Sequence, residues 1–360
     1  MSHSRRSFLS GRALVSDIET APPRPGSAPL LTVTREAMAG EFEVDLNFGQ
    51  YPEGAEAALA ALDEVTRLEE KLSVFRPKST ISYINAVAAY EPVPLDGELF
   101  ELLRRCLEWE RETQGAVDIT ATPLWRVWGF ARREGRVPSS AEIDDALKTV
   151  GSRFVVLEEA DRTVRFLKPG VELNLGCVGK GFALDVAADH LRRRGIENFL
   201  MHGGLSSVLA AGRQEGLRRT KTPDNGSVSG EGWKVGIAHP MHPGKRLGEL
   251  ALHNRSLGTS GTRHQYFRYR GKRYGHILDP RNGRPAEGTI SVTVLAGEAA
   301  TADALSTAFF VMTPDEIAAL LERRREDDLG VILVRTSEKG NGYEITRFGN
   351  TSLENTGRRV

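Results

Sequence analysis

Residues 175–185 read Leu-Gly-Cys-Val-Gly-Lys-Gly-Phe-Ala-Leu-Asp, a glycine-rich turn that leads into a helix. The helical pattern begins after Gly179, runs to Arg194 and ends at Gly195, a residue type that commonly ends helices. A strand-to-helix junction of this kind exposes backbone N–H groups at the helix N-terminus, and Lys180 adds a positive charge. The junction could therefore bind a phosphate or pyrophosphate, but the same residues also fit an ordinary tight turn with a solvated lysine.

This junction matches neither of the common nucleotide-binding loops. A Walker A loop needs glycine at position 174 and serine or threonine at position 181, where this chain has Asn174 and Gly181. The Gly-x-Gly-x-x-Gly fingerprint of dinucleotide-binding folds fails on spacing at the same place. Nucleophile-elbow, His-Glu-x-x-His and calcium-loop motifs are absent from the sequence. Several common enzyme classes are thereby excluded.

Strand and helix patterns surround the junction without a strict β-α-β alternation. Hydrophobic periodicity predicts helices over residues 53–72, 97–113, 139–150, 299–312 and 314–327. Strands are predicted over residues 30–36, 41–48, 153–157, 163–167, 233–238, 247–253, 265–270, 289–296, 330–336 and 342–348. Clustered strands favour an α+β fold, with mainly antiparallel sheets and packed helices, over a doubly wound one.

Composition limits the classes of partner. The 360 residues include 48 Lys or Arg and 48 Asp or Glu, so the formal net charge is zero, which argues against nucleic acid and anionic membranes as partners. No run approaches the 18 apolar residues of a membrane span, so an integral membrane protein is not expected. The two cysteines, Cys106 and Cys177, cannot form a disulfide framework, and Cys106 fits the buried stripe of a helix.

The N-terminal residues are expected to lie outside the fold. Residues 4–9, Ser-Arg-Arg-Ser-Phe-Leu, look like the core of a twin-arginine export signal, but the apolar segment that must follow is missing. The missing segment favours a cytoplasmic location, with export as the alternative. Residues 20–29 are proline-rich and read as an extended linker. We therefore expect an N-terminal segment over residues 1–29, a folded domain over 30–350, and a surface loop over 213–231.

Two further groups of residues could carry chemistry. Asp303 and Thr307 lie four residues apart on one predicted helix and so share a face. A carboxylate and a hydroxyl so placed are ligands that magnesium takes, although an Asp favoured by the helix dipole and a Thr bonded to its own helix explain the pair, taken alone, more simply. His276 is a candidate base, although a lone histidine more often has a structural role, and Asp279 either orients it or forms the following turn.

Taken together, these segments resemble the FAD:protein FMN transferase family, also called the ApbE family, over about Met38 to Val334. The segment from Leu72 to Asn85 is similar to the family's Leu-Ser-x-Tyr-x-x-x-Ser-x-Ile-Ser segment, and Gly115 to Phe130 resembles its Gly-x-Phe-Asp-x-Thr segment. The remaining matches are Met38-Ala39-Gly40, Leu175 to Asp185, His202-Gly203-Gly204, Thr259-Ser260-Gly261, His276 to Pro280 and Ala302 to Thr307.

The resemblance implies a magnesium-dependent enzyme that cleaves FAD, attaches FMN by a phosphoester to a Thr or Ser of an acceptor flavoprotein subunit, and releases AMP. His276 would be the catalytic base that activates the acceptor hydroxyl. The FAD site would be lined by Met38, Phe75, Ala116, Val117, Asp118, Asn174, Lys180 and Ile277. Magnesium would be held by the carbonyl of Cys177 with Asp303 and Thr307, joined by Ser306.

The chain also departs from the family pattern. Position 75 is Phe where the family usually has Tyr, position 174 is Asn where Asp is usual, and Ala39 interrupts the Met-Gly-Thr motif. The residues matched to the metal ligands and to the base agree with the family pattern, whereas several residues matched to flavin contacts differ from it. Two alternatives therefore stay open beside the transferase: an FAD diphosphatase, in which water replaces the acceptor, and a flavin-binding protein without catalysis.

The neutral charge of the whole chain conceals a basic stretch. Residues 262–284 contain seven Lys or Arg and a single acid, Asp279. This stretch flanks His276, where the pyrophosphate would lie. A solvated basic loop would show the same composition, so the stretch is compatible with an anionic ligand without requiring one.

Overall fold

A computed structural model describes residues 18–20, 29–132, 134–215, 220–221, 228–229, 232–262, 266–324, 328–337, 342–351 and 353–354. Within these ranges no helix is long and apolar enough to cross a membrane. The helices are α1 (Gly54–Leu72), α2 (Thr80–Val87), α3 (Gly97–Glu112), α4 (Thr122–Val127), α5 (Ser140–Leu147), α6 (Gly179–Arg193), α7 (Ala299–Val311) and α8 (Pro314–Arg324). A short 3-10 turn spans Ser152–Phe154.

The strands of the first half are β1 (Ile18–Thr20), β2 (Leu30–Ala37), β3 (Gly40–Asn47), β4 (Val93–Pro94), β5 (Val155–Glu158), β6 (Thr163–Phe166), β7 (Phe199–Gly203), β8 (Ser207–Ala211), β9 (Thr220–Lys221) and β10 (Val228–Ser229). Those of the second half are β11 (Trp233–Ala238), β12 (Arg246–Leu252), β13 (Arg255–Gly261), β14 (Tyr266–Tyr269), β15 (Lys272–Gly275), β16 (Leu278–Asp279), β17 (Arg284–Pro285), β18 (Thr289–Ala296), β19 (Gly330–Thr336), β20 (Tyr343–Gly349) and β21 (Leu353–Glu354).

An eight-stranded sheet forms the centre of the fold, in the order β2-β3-β7-β8-β13-β18-β19-β20. Every neighbouring pair in it is antiparallel. A second, four-stranded sheet has the order β1-β11-β12-β21 and is antiparallel as well. The α+β class with mainly antiparallel sheets and packed helices is therefore confirmed.

The central sheet is covered on both faces, and alternate residues of its strands face the two layers. Leu209 of β8 packs in the large core together with Leu62 of α1 and Leu305 of α7. Its neighbour Val208 points the other way and packs with Trp233 of β11. We call these the helix face and the sheet face. This alternation follows from the two-residue period of a strand.

A smaller apolar cluster lies beside the large core. It joins Leu124 and Trp128 from α4 to Ile143 of α5 and Leu278 of β16. Ser139 begins α5 with a capping box, in which its hydroxyl and the Glu142 carboxylate exchange bonds with backbone N–H groups. This cluster anchors the segment that carries His276 to the rest of the fold.

The predicted long elements are observed within a few residues of their expected bounds. The strands over 289–296 and 330–336 agree fully, and Asp96 caps α3 by accepting a hydrogen bond from the Leu99 N–H at 2.9 Å. Cys106 is buried in the core, as predicted. Three central strands, β7, β8 and β13, were not predicted, because β7 and β8 are buried on both faces and lack alternation.

Several predictions concern residues outside the described ranges. The arginine pair over residues 4–9 and nearly all of the linker over 20–29 lie there, as does most of the predicted loop over 213–231. The export signal and the linker stay predictions. The expected limits of the fold, 30 and 350, are too narrow, because β1 pairs with β11 and β21 pairs with β12. Residues 220–221 and 228–229 of the predicted loop form the strand pair β9 and β10, since hydrogen bonding between two short segments leaves no hydrophobic pattern.

Candidate active site

The glycine-rich junction places the start of α6 directly against the start of α7. A Cβ atom on Gly181 would lie 2.2 Å from the Ala299 carbonyl oxygen, far inside van der Waals contact. Gly258 of β13 has the same constraint on the other side of α7, since its Cβ would lie 2.6 Å from the Ala302 carbonyl carbon. Glycine is therefore required at both positions for α7 to pack closely against both α6 and β13.

Asp185, one turn after Gly181, fixes this packing through the backbone of α7. Its carboxylate accepts hydrogen bonds from the Ala299 N–H at 2.9 Å and from the Ala300 N–H at 2.8 Å. Burial raises the pKa of Asp185 to about 7, while these two donors act in the opposite direction. The Lys-Gly-x-x-x-Asp spacing is thus explained by helix capping from a neighbouring helix.

Asp303 of α7 lies at the centre of the site and is 9% exposed. One carboxylate oxygen accepts a hydrogen bond from the Gly181 N–H at 2.7 Å, and the Ser207 hydroxyl lies 2.8 and 2.9 Å from the two oxygens. Burial raises the pKa of Asp303 to about 7, against the effect of these donors and of Lys180. A carboxylate with an unfavourable burial energy is one that a bound cation would stabilise.

Lys180 points toward two glycines that belong to separate turns. A Cβ on Gly204 would lie 2.9 Å from the Lys180 ammonium nitrogen, and a Cβ on Gly40 would lie 3.8 Å from it. Burial lowers the pKa of Lys180, and Asp303 raises it. The turn before Gly40 is left-handed at Met38 (φ 50°) and Ala39 (φ 59°), so alanine occupies a conformation that glycine adopts without strain.

Three hydroxyls gather next to Asp303. The Ser306 and Thr307 hydroxyls donate to the Asp303 carbonyl at 3.0 and 3.2 Å, and the Ser260 hydroxyl lies 2.9 Å from that of Ser306 and 3.4 Å from that of Thr307. Thr307 is thus bonded to its own helix, as the simpler interpretation predicts. Carboxylate and hydroxyl oxygens are hard ligands of the kind magnesium prefers, so the chemistry of this set of donors fits the ion. Cys177 is close enough for Asp303 to affect its pKa, which burial raises to about 12, so its thiol stays protonated and its carbonyl is the available oxygen.

Asp118 and Asn174 use their side chains within the protein. The Asp118 carboxylate accepts hydrogen bonds from the backbone N–H and hydroxyl of Thr120 and from those of Ser152, at 2.7–3.0 Å. Asn174 accepts a hydrogen bond from the Gly176 N–H at 2.9 Å, which shapes the approach to the junction. Both side chains position backbone around the site, and a direct flavin contact by either remains a prediction.

The other predicted flavin-binding residues differ widely in exposure. Phe75 follows α1 and is 73% exposed, while Met38 is half-buried in the turn before Gly40. Ala116, Val117 and Ile277 are buried in the large core. A stacking role therefore suits Phe75, whose ring is accessible, and the three buried residues would shape the wall of a flavin site mainly through their backbone.

His276 lies between β15 and β16, against Trp125 of α4. The Trp125 indole N–H donates to the His276 carbonyl at 2.9 Å, and the two rings meet edge to face at 6.1 Å. The preceding Gly275 lies against the residue that follows β13, since its Cβ would be 3.2 Å from the Thr262 methyl. A direct approach of His276 to the Asp303 cluster stays a prediction.

Asp279 forms the turn and does not serve the site as a separate orienting group for a base. Its carboxylate accepts hydrogen bonds from the Arg281 backbone N–H at 3.0 Å and from the Arg281 guanidinium at 2.9–3.2 Å. The Arg281 guanidinium also donates a hydrogen bond to the Glu316 carboxylate of α8 at 2.8 Å. Part of the basic stretch is thus neutralised within the protein.

Sequence reasoning missed Ser207 as a partner of Asp303 and Ser260 as a neighbour of Thr307. Ser207 is fully buried at the first position of β8, and a single hydroxyl at the start of an apolar strand carries no periodic signal. A buried polar side chain needs a partner, but the sequence alone does not show that this position is buried.

The model of the ApbE family matches residues 38–333. Among similar curated proteins, the FAD:protein FMN transferase of Klebsiella pneumoniae is 30% identical over 266 residues, which are 73% of this chain and 78% of the relative. The protein of the same name from Treponema pallidum is 31% identical over 273 residues, or 73% of this chain and 74% of the relative.

Solved structures give the same comparison in three dimensions. The ApbE protein of Thermotoga maritima superposes with a TM-score of 0.75 at 29% identity, covering 88% of this chain and 97% of that one. The flavinyl transferase ApbE of Pseudomonas stutzeri superposes with a TM-score of 0.74 at 25% identity, covering 89% and 95% of the two chains.

Proposed function

Because this chain belongs to the ApbE family, we propose that it is an FAD:protein FMN transferase, an enzyme that moves FMN from FAD to an acceptor protein. One observation carries the proposal: Asp303 is buried beside Lys180 and is held by the Gly181 N–H and the Ser207 hydroxyl. The fold thereby brings together three segments that are far apart in sequence: the start of α6, the start of β8 and the middle of α7.

Lys180 is suited to the pyrophosphate of FAD, because a lysine ammonium attracts phosphate oxygens. Two of the N–H groups that begin α6 are instead used within the protein, that of Gly179 by the Leu175 carbonyl at 2.7 Å and that of Gly181 by Asp303. Burial makes an isolated ammonium costly, which the lowered pKa of Lys180 reflects, and a bound anion would relieve that cost. Met38 and Phe75 would contact the flavin, with Ala116, Val117, Asp118, Asn174 and Ile277 shaping the same site.

Magnesium would be held by Asp303, Ser306, Thr307 and the Cys177 carbonyl. Bound there, the ion would supply neutralisation of the negative charge that builds up on phosphate oxygens. Ser207 and Gly181 would orient the Asp303 carboxylate, as outer partners of metal ligands commonly do. The affinity of the site for magnesium should therefore depend on Ser207 as well as on the ligands.

His276 would act as the general base toward a threonine or serine hydroxyl of the acceptor. Oxygen of that hydroxyl attacks the phosphorus on the FMN side of the pyrophosphate, and the bond from this phosphorus to the bridging oxygen breaks. AMP leaves with the bridging oxygen, while the hydroxyl proton passes to the His276 imidazole. The Trp125 bond to the His276 carbonyl fixes the backbone from which the imidazole acts.

An acceptor assay separates this activity from its two alternatives. The full chain is mixed with FAD, magnesium and a protein that carries a flavinylation sequence, and the products are analysed after denaturation. The proposal predicts flavin that stays on the acceptor, together with AMP in equal amount. Free FMN and AMP without labelled acceptor would establish a diphosphatase instead, and intact FAD would establish a binding protein without catalysis.

A further inference from the structure

A second polar cluster lies on the sheet face, away from Asp303. Glu43 and Asp45 belong to β3, whose residues Phe42, Val44 and Leu46 pack in the large core on the helix face. Because side chains alternate along a strand, Glu43 and Asp45 point to the opposite face. His202 of β7 is paired directly with Glu43 across the two strands and joins them there.

The three side chains bring their ligand atoms together. One carboxylate oxygen each from Glu43 and Asp45 and one ring nitrogen of His202 lie within 4.8 Å of one another. Bonds of about 2.0–2.2 Å to a tetrahedral ion would hold such atoms about 3.4 Å apart, so small side-chain rotations would complete a site. Asp45 is further fixed by the Thr32 hydroxyl, which donates to it at 2.5 Å.

His202 supplies an independent sign that this cluster is suited to binding a ligand. The residue is 8% exposed, and its Nε2 atom is buried without a hydrogen-bond partner. Such an atom costs free energy unless something binds it. A ring nitrogen of His202 lies within 4.8 Å of an oxygen of each carboxylate. The ligand that suits this set is therefore a cation that binds both nitrogen and oxygen donors.

The electrostatics of the cluster agree with this geometry. Burial and the neighbouring Asp45 raise the pKa of Glu43 to about 7, and burial lowers the pKa of His202 to about 4. The imidazole is therefore neutral near pH 7, the form in which it binds metals. A divalent ion would remove the repulsion between the two carboxylates and occupy the buried nitrogen.

We propose that Glu43, Asp45 and His202 form a binding site for a divalent transition-metal ion of the zinc class. Imidazole nitrogen with two carboxylates suits zinc, whereas magnesium prefers a set of oxygen ligands such as that around Asp303. The site would join β3 to β7 near the turns that hold Gly40 and Gly204 against Lys180. Its role is structural, and it does not depend on the transferase activity.

Metal titration of the full chain tests the site. Protein freed of metal with a chelator is titrated with zinc by calorimetry, in the presence of excess magnesium, and its melting temperature is measured with and without zinc. The wild type should bind one zinc ion that magnesium does not displace, and zinc should raise its melting temperature. Cobalt, used as a second probe, should give the visible absorption of a nitrogen- and oxygen-ligated ion.

Variants assign the ligands. His202→Gln and Asp45→Asn should each weaken zinc binding by about 100-fold or more and abolish the zinc-dependent rise in melting temperature. His253→Gln changes an exposed histidine and should bind zinc like the wild type, as should Asp303→Asn, which alters the other site. Should His202→Gln unfold, Glu43→Gln provides the same test. Undiminished zinc binding in folded variants, or no zinc binding by the wild type, would overturn the proposal.

Discussion

The two faces of the central sheet each carry a buried polar cluster, and the two clusters differ in how their polar atoms are satisfied. On the helix face, Asp303 accepts hydrogen bonds from Gly181 and Ser207. On the sheet face, Glu43 and Asp45 lie side by side, and His202 keeps a buried nitrogen without a partner. Burial raises the pKa of a carboxylate on both faces, and on both a hydroxyl donates to a carboxylate, Ser207 to Asp303 and Thr32 to Asp45. The helix face adds the Gly181 N–H as a second donor.

This difference indicates two kinds of cation site. The Asp303 cluster combines a pre-oriented carboxylate with hydroxyls and a lysine, a set suited to a hard ion beside phosphates. The Glu43 cluster contains a nitrogen ligand and is suited to an ion that holds two strands together. Variants in one cluster should therefore leave the other cluster's ion binding intact.

The largest effect is expected from Asp303→Asn. This change removes the negative charge of the carboxylate that would hold magnesium. The ion would stabilise the transition state by several kcal/mol, so its loss corresponds to about a 1,000-fold or greater loss of transfer rate. Acceptor labelling over time measures the loss, and circular dichroism checks folding. A folded variant with full activity would contradict the metal assignment.

His276→Ala should lower the transfer rate by about 100-fold or more, because a general base contributes about that much. FAD binding, followed by fluorescence quenching, should stay near the wild-type affinity. His253→Ala is the matched control, since His253 is exposed. Lost FAD binding in the His276 variant would make this residue structural, and the proposed reaction would then lack an assigned base.

Ser207→Ala should weaken magnesium binding by about 10- to 100-fold while the metal ligands themselves remain. The dependence of the transfer rate on magnesium concentration measures this shift, and saturating magnesium should restore most of the rate. Ser256→Ala is the control, because Ser256 is a buried serine on the neighbouring strand whose hydroxyl faces the Gly297 carbonyl. An equal shift in both variants would show that Ser207 acts through packing alone.

The smallest effect concerns stability and Asp185. An unfolded aspartate titrates near 3.9, and the pKa of Asp185 is raised to about 7 in the fold. Between these values the folded state holds more protons, so the free energy of unfolding should fall as pH rises and level off above about 7. The fall that Asp185 causes should be about 2 kcal/mol, a figure reduced because the side chain is partly exposed. In Asp185→Asn this part of the pH dependence should be absent.

Denaturant unfolding at about pH 5 and about pH 8 provides the comparison for Asp185. Asp189→Asn serves as the control on the same helix, since Asp189 is exposed and paired with Arg192. The free energy of unfolding of Asp189→Asn should depend on pH in the same way as that of the wild type. A pH dependence that is unchanged in Asp185→Asn would place the titration elsewhere in the protein.

Much of the fold followed from local patterns. The helices α1, α3 and α6 have apolar stripes with clear ends, and edge strands such as β2 alternate between buried and exposed residues. The central strands β7 and β8 are buried on both faces, so their residues show no alternation. Their place in the sheet depends on pairing between distant segments, which local patterns do not encode.

The site was predictable only where a motif spans a few neighbouring residues. The Lys180–Asp185 and Asp303–Thr307 spacings were identified, but their meeting depends on close packing at Gly181 and Gly258. The sequence left open whether Asp279 orients His276 or forms the turn, and the structure shows it in the turn, bound to Arg281. The Glu43 cluster arises from strand register, which pairs residue 43 with residue 202.

The most direct test of the central claim is the intact mass of an acceptor protein after incubation with this chain, FAD and magnesium. The account predicts an added mass of one FMN less one water on a threonine or serine, formed by the wild type and not by Asp303→Asn. An acceptor that stays unmodified while FAD is consumed or bound would contradict it.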